Sequence, residues 1–332
     1  MARMEDVAAA AGVSKTTVSY VFSPQKSALI SPETREKVLS VAAKLGYKPS
    51  FFGKVLSEKR SFNIALILPS RTAQSMSRTL LRIFHGIVHN AETSDYNVSV
   101  FFGAGKRFFN RSGEGRFDGV IVIGLGSDTA ALDKISALNL PMVVVNRQYP
   151  ISKKCSCIHS DIAGWFKREA GRMLENGCRN LLFLNKGLHT DSGKSAAEIF
   201  PEVEKQVIAA GGVIEQIFAE KNVSLQVNEL LQHKHYDGMI INSSEGAAVL
   251  DALKLHKLQP NLDIQLSGFV RDPALCMFGL VWEADSVSMG SQGWNMLMEL
   301  LNGSKGKHTV LPIAQYSKAK TTGADFADGF DV

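Results

Sequence analysis

The chain has 332 residues, of which 45% are apolar and 21% are charged, and its formal net charge is +5. The apolar fraction is sufficient for a packed core, so the composition excludes a disordered chain, and the length suggests two or more domains. No uncharged apolar run reaches the roughly 20 residues that span a bilayer, and the acidic start is unlike a signal peptide. Four cysteines are too few for a disulfide scaffold, so we expect reduced thiols in a cytoplasmic protein.

The positive charge is concentrated at the N-terminal end of the chain. Residues 1–60 carry ten basic and five acidic side chains, whereas the two signs balance over the remaining residues. A basic segment ahead of a neutral body is typical of a domain that binds a polyanion. Charge alone fits a solvated basic surface equally well, so the motifs in this segment must decide between the two.

Two short helices joined by a glycine turn are predicted at the start of the basic segment. Met4–Ala11 is rich in alanine, and Gly12 suits the left-handed conformation that ends a helix. Ser14 is a good cap for a second helix, which the spacing of its valines extends to Phe22. This pattern is typical of the helix-turn-helix, whose second helix enters the major groove of DNA.

A third helix is predicted from Ser31, because serine is a favoured cap and Pro32 then occupies the first helical position. Its apolar stripe reaches Leu45, and Gly46 ends it. Three such helices can bury one small core between them. The pattern by itself also fits a three-helix bundle that has no role in DNA binding.

Five short motifs of this segment stand at a matching spacing. They are Glu5–Ala8, Ala11–Ser14, Thr17–Ser19, Ser31–Arg35 and Leu45–Pro49. Together they resemble the lactose-repressor (LacI/GalR) family of bacterial transcription regulators. The resemblance implies a homodimeric transcriptional repressor that binds pseudo-palindromic, double-stranded operator DNA under the control of a small-molecule effector. It also implies a bacterial cytoplasmic, nucleoid-associated location.

The outward positions of the second predicted helix are polar or amphipathic, so they can reach base edges or phosphates. The family commonly has arginine where this chain has Tyr20. Because an arginine–guanine pair is the commonest specific base contact, we expect an operator that differs from the family's usual one. The candidates are Lys15, Thr16 and Tyr20 for base contacts, and Ser14, Thr17, Ser19 and Lys48 for the DNA backbone.

A hinge is predicted over residues 49–60, where Ser50 can cap a helix of about two turns. A helix of that length is marginal in isolation, and Gly53 weakens it further. The resemblance implies that the hinge helices of two subunits pair in the minor groove, where Leu56, beside Val55, opens a base step. A plain linker is the alternative.

From residue 61 the sequence alternates between apolar strands and amphipathic helices, which predicts parallel sheets. The resemblance extends to this region and implies two α/β subdomains like those of periplasmic binding proteins. Strands are expected at 64–68, 98–102, 120–123 and 142–145 and, once the pattern restarts after residue 155, at 181–184, 214–218, 239–241 and 266–270. Helices are expected at 75–92, 129–138, 162–175, 196–210 and 247–255.

These elements predict an all-α helix-turn-helix DNA-binding domain at 1–48, the hinge at 49–60, and an α/β core for effector binding and dimerisation at 61–332. Since no leucine heptad tail is found, a dimer is expected rather than a dimer of dimers. The first subdomain of the core is expected to take about 61–150 with 286–310, and the second about 151–285 with 311–332.

The cleft between the two subdomains is the expected effector site. The family's usual aspartate is Ser243 here, and its arginine near 194–197 is missing. Cations gained at Arg71, Lys186, Lys194 and Arg271 favour an anionic effector, such as a sugar phosphate, or no effector at all. The pocket candidates are Ser70, Arg71, Asn146, Arg147, Asp191, Lys194, Asn242, Ser243, Arg271 and Glu283.

Catalytic and metal-binding motifs are not found, so we expect no enzyme, no cofactor and no metal. Gly193–Ser195 lacks the earlier glycine of a phosphate-binding loop, and Cys155 with Cys157 lacks a second ligand pair at zinc spacing. Two alternatives stay open: a small-molecule-binding protein, and a family member that no longer responds to an effector.

Overall fold

The computed structural model describes residues 2–23, 26–70, 77–124, 129–188, 190–219, 222–243, 245–269, 275 and 281–315. The chain divides into two units, Met1–Phe62 and Asn63–Val332, and each unit has a hydrophobic core of its own. Among the helices in these ranges, none is long and apolar enough to cross a membrane. We call the first unit the head and the second unit the α/β core.

The described part of the head is helical, and its helices follow the sequence pattern closely. They are α1 (Met4–Ala11), α2 (Lys15–Val21), α3 (Pro32–Lys44) and α4 (Phe51–Glu58), with a 3-10 turn at Ser27–Leu29. Gly12 has a φ of 65° and ends α1, as its position predicts. The buried side chains of the head are Val7, Ala8, Ala11, Val18, Val21, Val38 and Ala42.

Two serine caps fix the starts of α2 and α3. Ser14 Oγ accepts the Thr17 N–H at 3.0 Å, and Ser31 Oγ accepts the Thr34 N–H at 3.3 Å. Each bond satisfies a backbone donor that the first turn of a helix leaves without an intrahelical partner. The three helices predicted for the head, with both of their serine caps, are therefore confirmed.

The α/β core contains two six-stranded sheets, and all pairings of the first are parallel. Its strands are β1 (Asn63–Leu68), β2 (Asn97–Phe102), β3 (Gly119–Ile123), β4 (Met142–Val145), β5 (Cys155–Ser160) and β11 (His308–Leu311), in the order β11-β5-β4-β3-β1-β2. The helices of this half are α5 (Arg78–Glu92), α6 (Lys106–Gly113), α7 (Thr129–Ser136) and α12 (Ser286–Leu301).

The second sheet is parallel except at one edge, where β12 runs antiparallel to β10. Its strands are β6 (Asn180–Asn185), β7 (Val213–Phe218), β8 (Gly238–Asn242), β9 (Gln265–Phe269), β10 (Val281–Ala284) and β12 (Ile313–Gln315), in the order β12-β10-β9-β8-β6-β7. Its helices are α8 (Ile162–Glu175), α9 (Asp191–Ala209), α10 (Val223–His233) and α11 (Gly246–Leu255). Two parallel α/β halves are the fold class that the sequence predicts.

Strand β5 differs from the sequence prediction, which restarts the pattern after residue 155 and begins the second subdomain at 151. The structure pairs β5 with β4 and β11, inside the first sheet. The segment Cys155–Ser160 lacks a long aliphatic run, although five of its six residues are buried. Cysteine and serine side chains are small enough to pack there, and apolar patterning does not detect them. The chain therefore leaves the first sheet after Ser160.

The chain passes between the two sheets three times. It leaves β5 for α8, which packs on α9 and β8, and it returns from β10 to α12, which packs on α5, β3, β4 and β5. It crosses again from β11 to β12. Neither half of the α/β core is therefore one continuous stretch of chain.

Helices α5 and α12 approach each other closely, and two glycines make this approach possible. A Cβ added to Gly86 would lie 2.1 Å from the Val287 carbonyl oxygen, and one added to Gly290 would lie 2.1 Å from the Ile83 carbonyl oxygen. Any side chain at either position would push the helix backbones apart.

Three cysteines of the described ranges, Cys155, Cys157 and Cys178, are buried free thiols, as expected. Burial and the neighbouring Cys157 raise the pKa of the Cys155 thiol to about 12, so it stays protonated. Cys276 lies outside the described residues.

Candidate nucleic-acid interface and effector cleft

Helix α2 has one buried side and one polar side. Val18 and Val21 pack into the core of the head. On the other side, Lys15 and Thr16 are exposed, and Ser19 and Tyr20 are half-buried. Residues three or four positions apart share a face of a helix, so these polar side chains form one continuous surface. We call Lys15, Thr16, Ser19 and Tyr20 the reading face.

Lys15 of the reading face is paired with a carboxylate of the preceding helix. Its Nζ lies 2.6 Å from Glu5 Oε1, and both side chains are exposed. The ammonium group holds the pKa of Glu5 below its usual value. Water screens an exposed pair strongly, so the contact orients Lys15 more than it stabilises the head. The sequence marks Glu5 only as part of a motif, because the turn between α1 and α2 is needed to bring it to Lys15.

Tyr20 has a cationic neighbour, Lys26, six positions along the chain. Lys26 Nζ lies 5.0 Å from the centre of the Tyr20 ring, within the range of a cation–π contact. This contact adds a positive charge beside the reading face, where a phosphate could approach.

The predicted backbone-contacting residues are not equally available. Ser14 and Thr17 share a hydroxyl hydrogen bond of 2.9 Å, and the oxygen of Ser14 also caps α2. Lys48 is exposed and lies beyond α3. Thus Lys48 offers an exposed cation, whereas the Ser14 and Thr17 hydroxyls already have partners in the head.

The predicted hinge contains helix α4, but Ser50 precedes it without the side-chain cap hydrogen bond that the sequence predicts. Leu56 is 79% exposed, and Val55 is half-buried. The rings of Phe51 and Phe62 lie 5.9 Å apart, and Lys54 Nζ lies 4.4 Å from the Phe62 ring. An apolar side chain this exposed is available to a partner surface.

Several pocket candidates lie at the carboxyl ends of strands, where ligands of α/β sheets bind. Ser70 follows β1, Asn146 and Arg147 follow β4, Asn242 ends β8, and Ser243 comes next. Lys194 lies in the first turn of α9, which Thr190 caps. Arg71 and Arg271 lie outside the described residues, as do the side chains of Asp191 and Glu283.

Asn242 and Ser243 are fully buried and take part in the protein's own hydrogen bonds. Asn242 Nδ2 donates to Asn185 Oδ1 at 2.8 Å, and Asn185 Nδ2 donates to the Gly193 carbonyl at 2.9 Å. This chain of amides ties the end of β8 through β6 to the start of α9. Asn185 was not among the predicted residues, because its partner Asn242 lies 57 positions away in the sequence.

The start of α9 is tightly folded, and its first turn contains both Asp191 and Lys194. Lys186 follows β6, and burial lowers the pKa of its ammonium group. A Cβ on Gly193 would lie 2.6 Å from the carbonyl oxygens of Lys186 and Gly187, so only glycine fits there. Lys186, Lys194 and the N-terminal end of the helix dipole together favour an anion.

Comparison with known proteins gives matches to both units. Residues 3–50 match the model of bacterial regulatory proteins, lacI family. The HTH-type transcriptional regulator RegA of Clostridium saccharobutylicum is 24% identical over 315 residues, which cover 90% of this chain and 92% of RegA.

Solved structures show the same fold. A lac repressor dimer bound to operator and the anti-inducer ONPF superposes with a TM-score of 0.70 at 20% identity, over 94% of this chain and 97% of that one. A complex of the transcriptional regulator CelR with cellobiose has a TM-score of 0.63 at 20% identity and covers 96% and 99% of the two chains.

Proposed function

Because this chain belongs to the lacI family of bacterial regulatory proteins, we propose that it is a homodimeric transcriptional repressor that binds a pseudo-palindromic operator. The observation that carries this proposal is the reading face of α2. Its polar side chains lie on one helix that a Gly12 turn and a Ser14 cap hold against the rest of the head. A helix presented in this way fits the major groove.

The residues of the head take different roles in this proposal. Lys15, Thr16 and Tyr20 contact base edges, where Tyr20 replaces the arginine common in the family. Ser14, Thr17, Ser19 and Lys48 contact the phosphate backbone, with Lys48 as the strongest electrostatic contributor. Tyr20 lacks the guanidinium fork that pairs with guanine, so its hydroxyl and ring favour a different base at that position.

The exposed leucine of α4 supports a minor-groove role for the hinge. In this proposal Leu56, with Val55, packs against the hinge of the second subunit and opens a base step. The burial of an apolar side chain that is 79% exposed in the free head would contribute to the stability of the complex.

The α/β core is proposed to bind a small anionic effector, such as a sugar phosphate, in the cleft. The positive start of α9, with Lys186 and Lys194, supports this charge preference. Binding changes operator affinity only if the two conformations of the core differ in affinity for the effector. The hydrogen bonds that Asn242 and Ser243 make within the protein support a second candidate, a repressor that no longer responds to an effector.

Operator binding is tested by selecting duplexes from a random pool and measuring their affinity over a series of salt concentrations. Binding is expected to weaken with salt, with a slope of about −0.9 per phosphate contact in log affinity against log salt. Lys48→Gln should make the slope less negative by about one, and Lys205→Gln, in α9, should leave it unchanged. Failure to enrich any sequence, or a slope near zero, would refute the proposal.

The effector proposal is tested by thermal unfolding with hexose phosphates and with the same sugars without phosphate. A rise in melting temperature is expected with a phosphate ester only, and Lys194→Gln should abolish it. Lys205→Gln removes a charge from the same helix and serves as the control. An equal rise with a free sugar would contradict the anionic effector, and no rise with any ligand would favour the second candidate.

A further inference from the structure

Two histidines meet at the edge of the first sheet. His159 lies on β5 and His308 on the neighbouring edge strand β11, where Val310 is the register partner of His159. The two Nε2 atoms are 2.7 Å apart, and the ring centres are 4.9 Å apart. The two residues are separated by 149 positions in the chain, so the fold alone brings them together.

The hydrogen bonds of this pair define which nitrogen is free to act as a ligand. His159 Nδ1 lies 2.9 Å from the Ser160 carbonyl oxygen, which can only accept, so Nδ1 carries the hydrogen. In the neutral ring that carries its hydrogen on Nδ1, Nε2 has a lone pair and can only accept a hydrogen bond. The Nε2 lone pair of His159 therefore faces His308, whose Nε2–H donates to it.

We propose that His159 and His308 form a binding site for a divalent transition metal ion that prefers imidazole, namely Cu²⁺, Ni²⁺ or Zn²⁺. Metal-binding histidines commonly donate the hydrogen of their other ring nitrogen to a carbonyl or carboxylate, as His159 does to Ser160. On binding, the metal replaces the hydrogen bond between the rings. The hydrogen on Nε2 of His308 moves through solvent to its Nδ1, which leaves one lone pair on each Nε2 to bind the metal.

The geometry permits this with a small adjustment. Bonds of 2.0–2.1 Å in a tetrahedral arrangement place two ligand nitrogens about 3.3 Å apart, so the present contact must open by roughly half an ångström. His308 is exposed, and its side chain can rotate to give that space. Within the described residues no group of three or more potential ligands lies together, so water fills the remaining positions. The site is therefore exchangeable, unlike a four-ligand structural zinc site.

The position of the site means that a bound metal would link two connections between the sheets. Strands β5 and β11 both lead directly from the first sheet to the second, and the Asp161 N–H donates to the Leu311 carbonyl at 3.0 Å where they leave it. A metal held by His159 and His308 joins these two connections. Binding is therefore expected to raise the melting temperature of the α/β core.

A second histidine pair provides a matched control. His85 and His89 stand one turn apart on α5, with ring centres 6.1 Å apart, and a pair at this spacing also attracts transition metals. The test protein is therefore the full chain carrying His85→Gln and His89→Gln. Isothermal titration with NiCl₂ and thermal unfolding in its presence are measured on this protein.

The double variant is expected to bind one Ni²⁺ and to melt at a higher temperature in its presence. Adding His308→Gln, at an exposed position that does not endanger folding, should weaken binding at least tenfold and abolish the thermal shift. Adding His159→Gln should do the same. No binding to the double variant, or affinity unchanged by His308→Gln, would overturn the proposal. Neither outcome depends on whether the head binds DNA.

Discussion

In the head, the paired side chains of Lys15 and Glu5 are ten residues apart in the sequence. In the α/β core, Asn242 and Asn185 are 57 residues apart, and His308 and His159 are 149 residues apart. The head therefore builds its candidate surface from short-range contacts on consecutive helices. The core assembles its sites only when distant strands pair. A substitution in the head should thus act on recognition with little effect on the core, and a substitution in the core should act first on stability.

The largest effect is expected from Trp165→Ala in α8. The Trp165 side chain is 0% exposed, and its ring lies 5.2 Å from Phe269. Removal should lower the unfolding free energy of the core by about 3–5 kcal/mol, through lost burial and the cavity left behind. Urea unfolding followed by circular dichroism measures this loss.

Leu262→Ala is the control for that experiment, since Leu262 is 80% exposed and should change stability by less than about 0.5 kcal/mol. A separate transition of the head should persist unchanged in Trp165→Ala. If the head and the core instead lose stability together, they unfold as one unit. That result would contradict the claim that substitutions in the two units act separately.

The next largest effect is expected from Gly86→Ala, which tests whether a closely packed glycine of the core tolerates a side chain. The added methyl would meet the Val287 carbonyl, so α5 and α12 must separate at a cost of about 1–3 kcal/mol. Gly113→Ala in α6 has open space around it and should be neutral or slightly stabilising. Thermal unfolding of both variants compares the two, and equal melting temperatures would refute the close-packing argument.

A smaller effect, on binding alone, is expected from Leu56→Ala in the hinge. Operator affinity should fall about tenfold, which is about 1.4 kcal/mol, while the stability of the core stays unchanged. Leu29→Ala removes another exposed leucine of the head and should leave affinity as it is. Fluorescence anisotropy on the selected duplex measures both, and a similar loss in both variants would argue against a specific role for Leu56.

The smallest effect is expected from Glu5→Gln. Loss of the carboxylate frees Lys15 and removes a negative charge near the DNA, so affinity should rise roughly threefold at low salt and less at high salt. Glu36→Gln removes one negative charge from α3 and tests whether net charge alone explains the gain. Equal gains in the two variants would show that the contact between Glu5 and Lys15 has no particular influence.

The sequence predicts the head almost completely because its signals are local. Ser14 and Ser31 cap helices within three residues of their own position, and Gly12 marks a turn by its backbone freedom alone. The strands of the core that contain long aliphatic runs, such as Ile64–Leu68, were predicted equally well.

The sequence did not predict helices α6, α10 and α12 of the core. The other features that it did not predict depend on distant partners or on small side chains. Strand β5 was missed because cysteine and serine carry little apolar signal, and the late strands β10, β11 and β12 are only three or four residues long. The pairs of Glu5 with Lys15 and of His159 with His308 have no spacing that a pattern could detect. The pocket candidates remain predictions, since their positions at or near strand ends do not by themselves define a ligand.

The three crossings between the sheets have a practical consequence for dissecting the molecule. Neither half of the α/β core can be expressed as a single contiguous fragment. Each half takes one edge strand, β11 or β12, from the same short stretch near the end of the described residues. A truncation before His308 would remove one edge strand from each sheet. Strands β5 and β10 would then become unpaired edges that can aggregate. Isolating one half of the α/β core therefore requires splicing of separate segments or a circularly permuted gene.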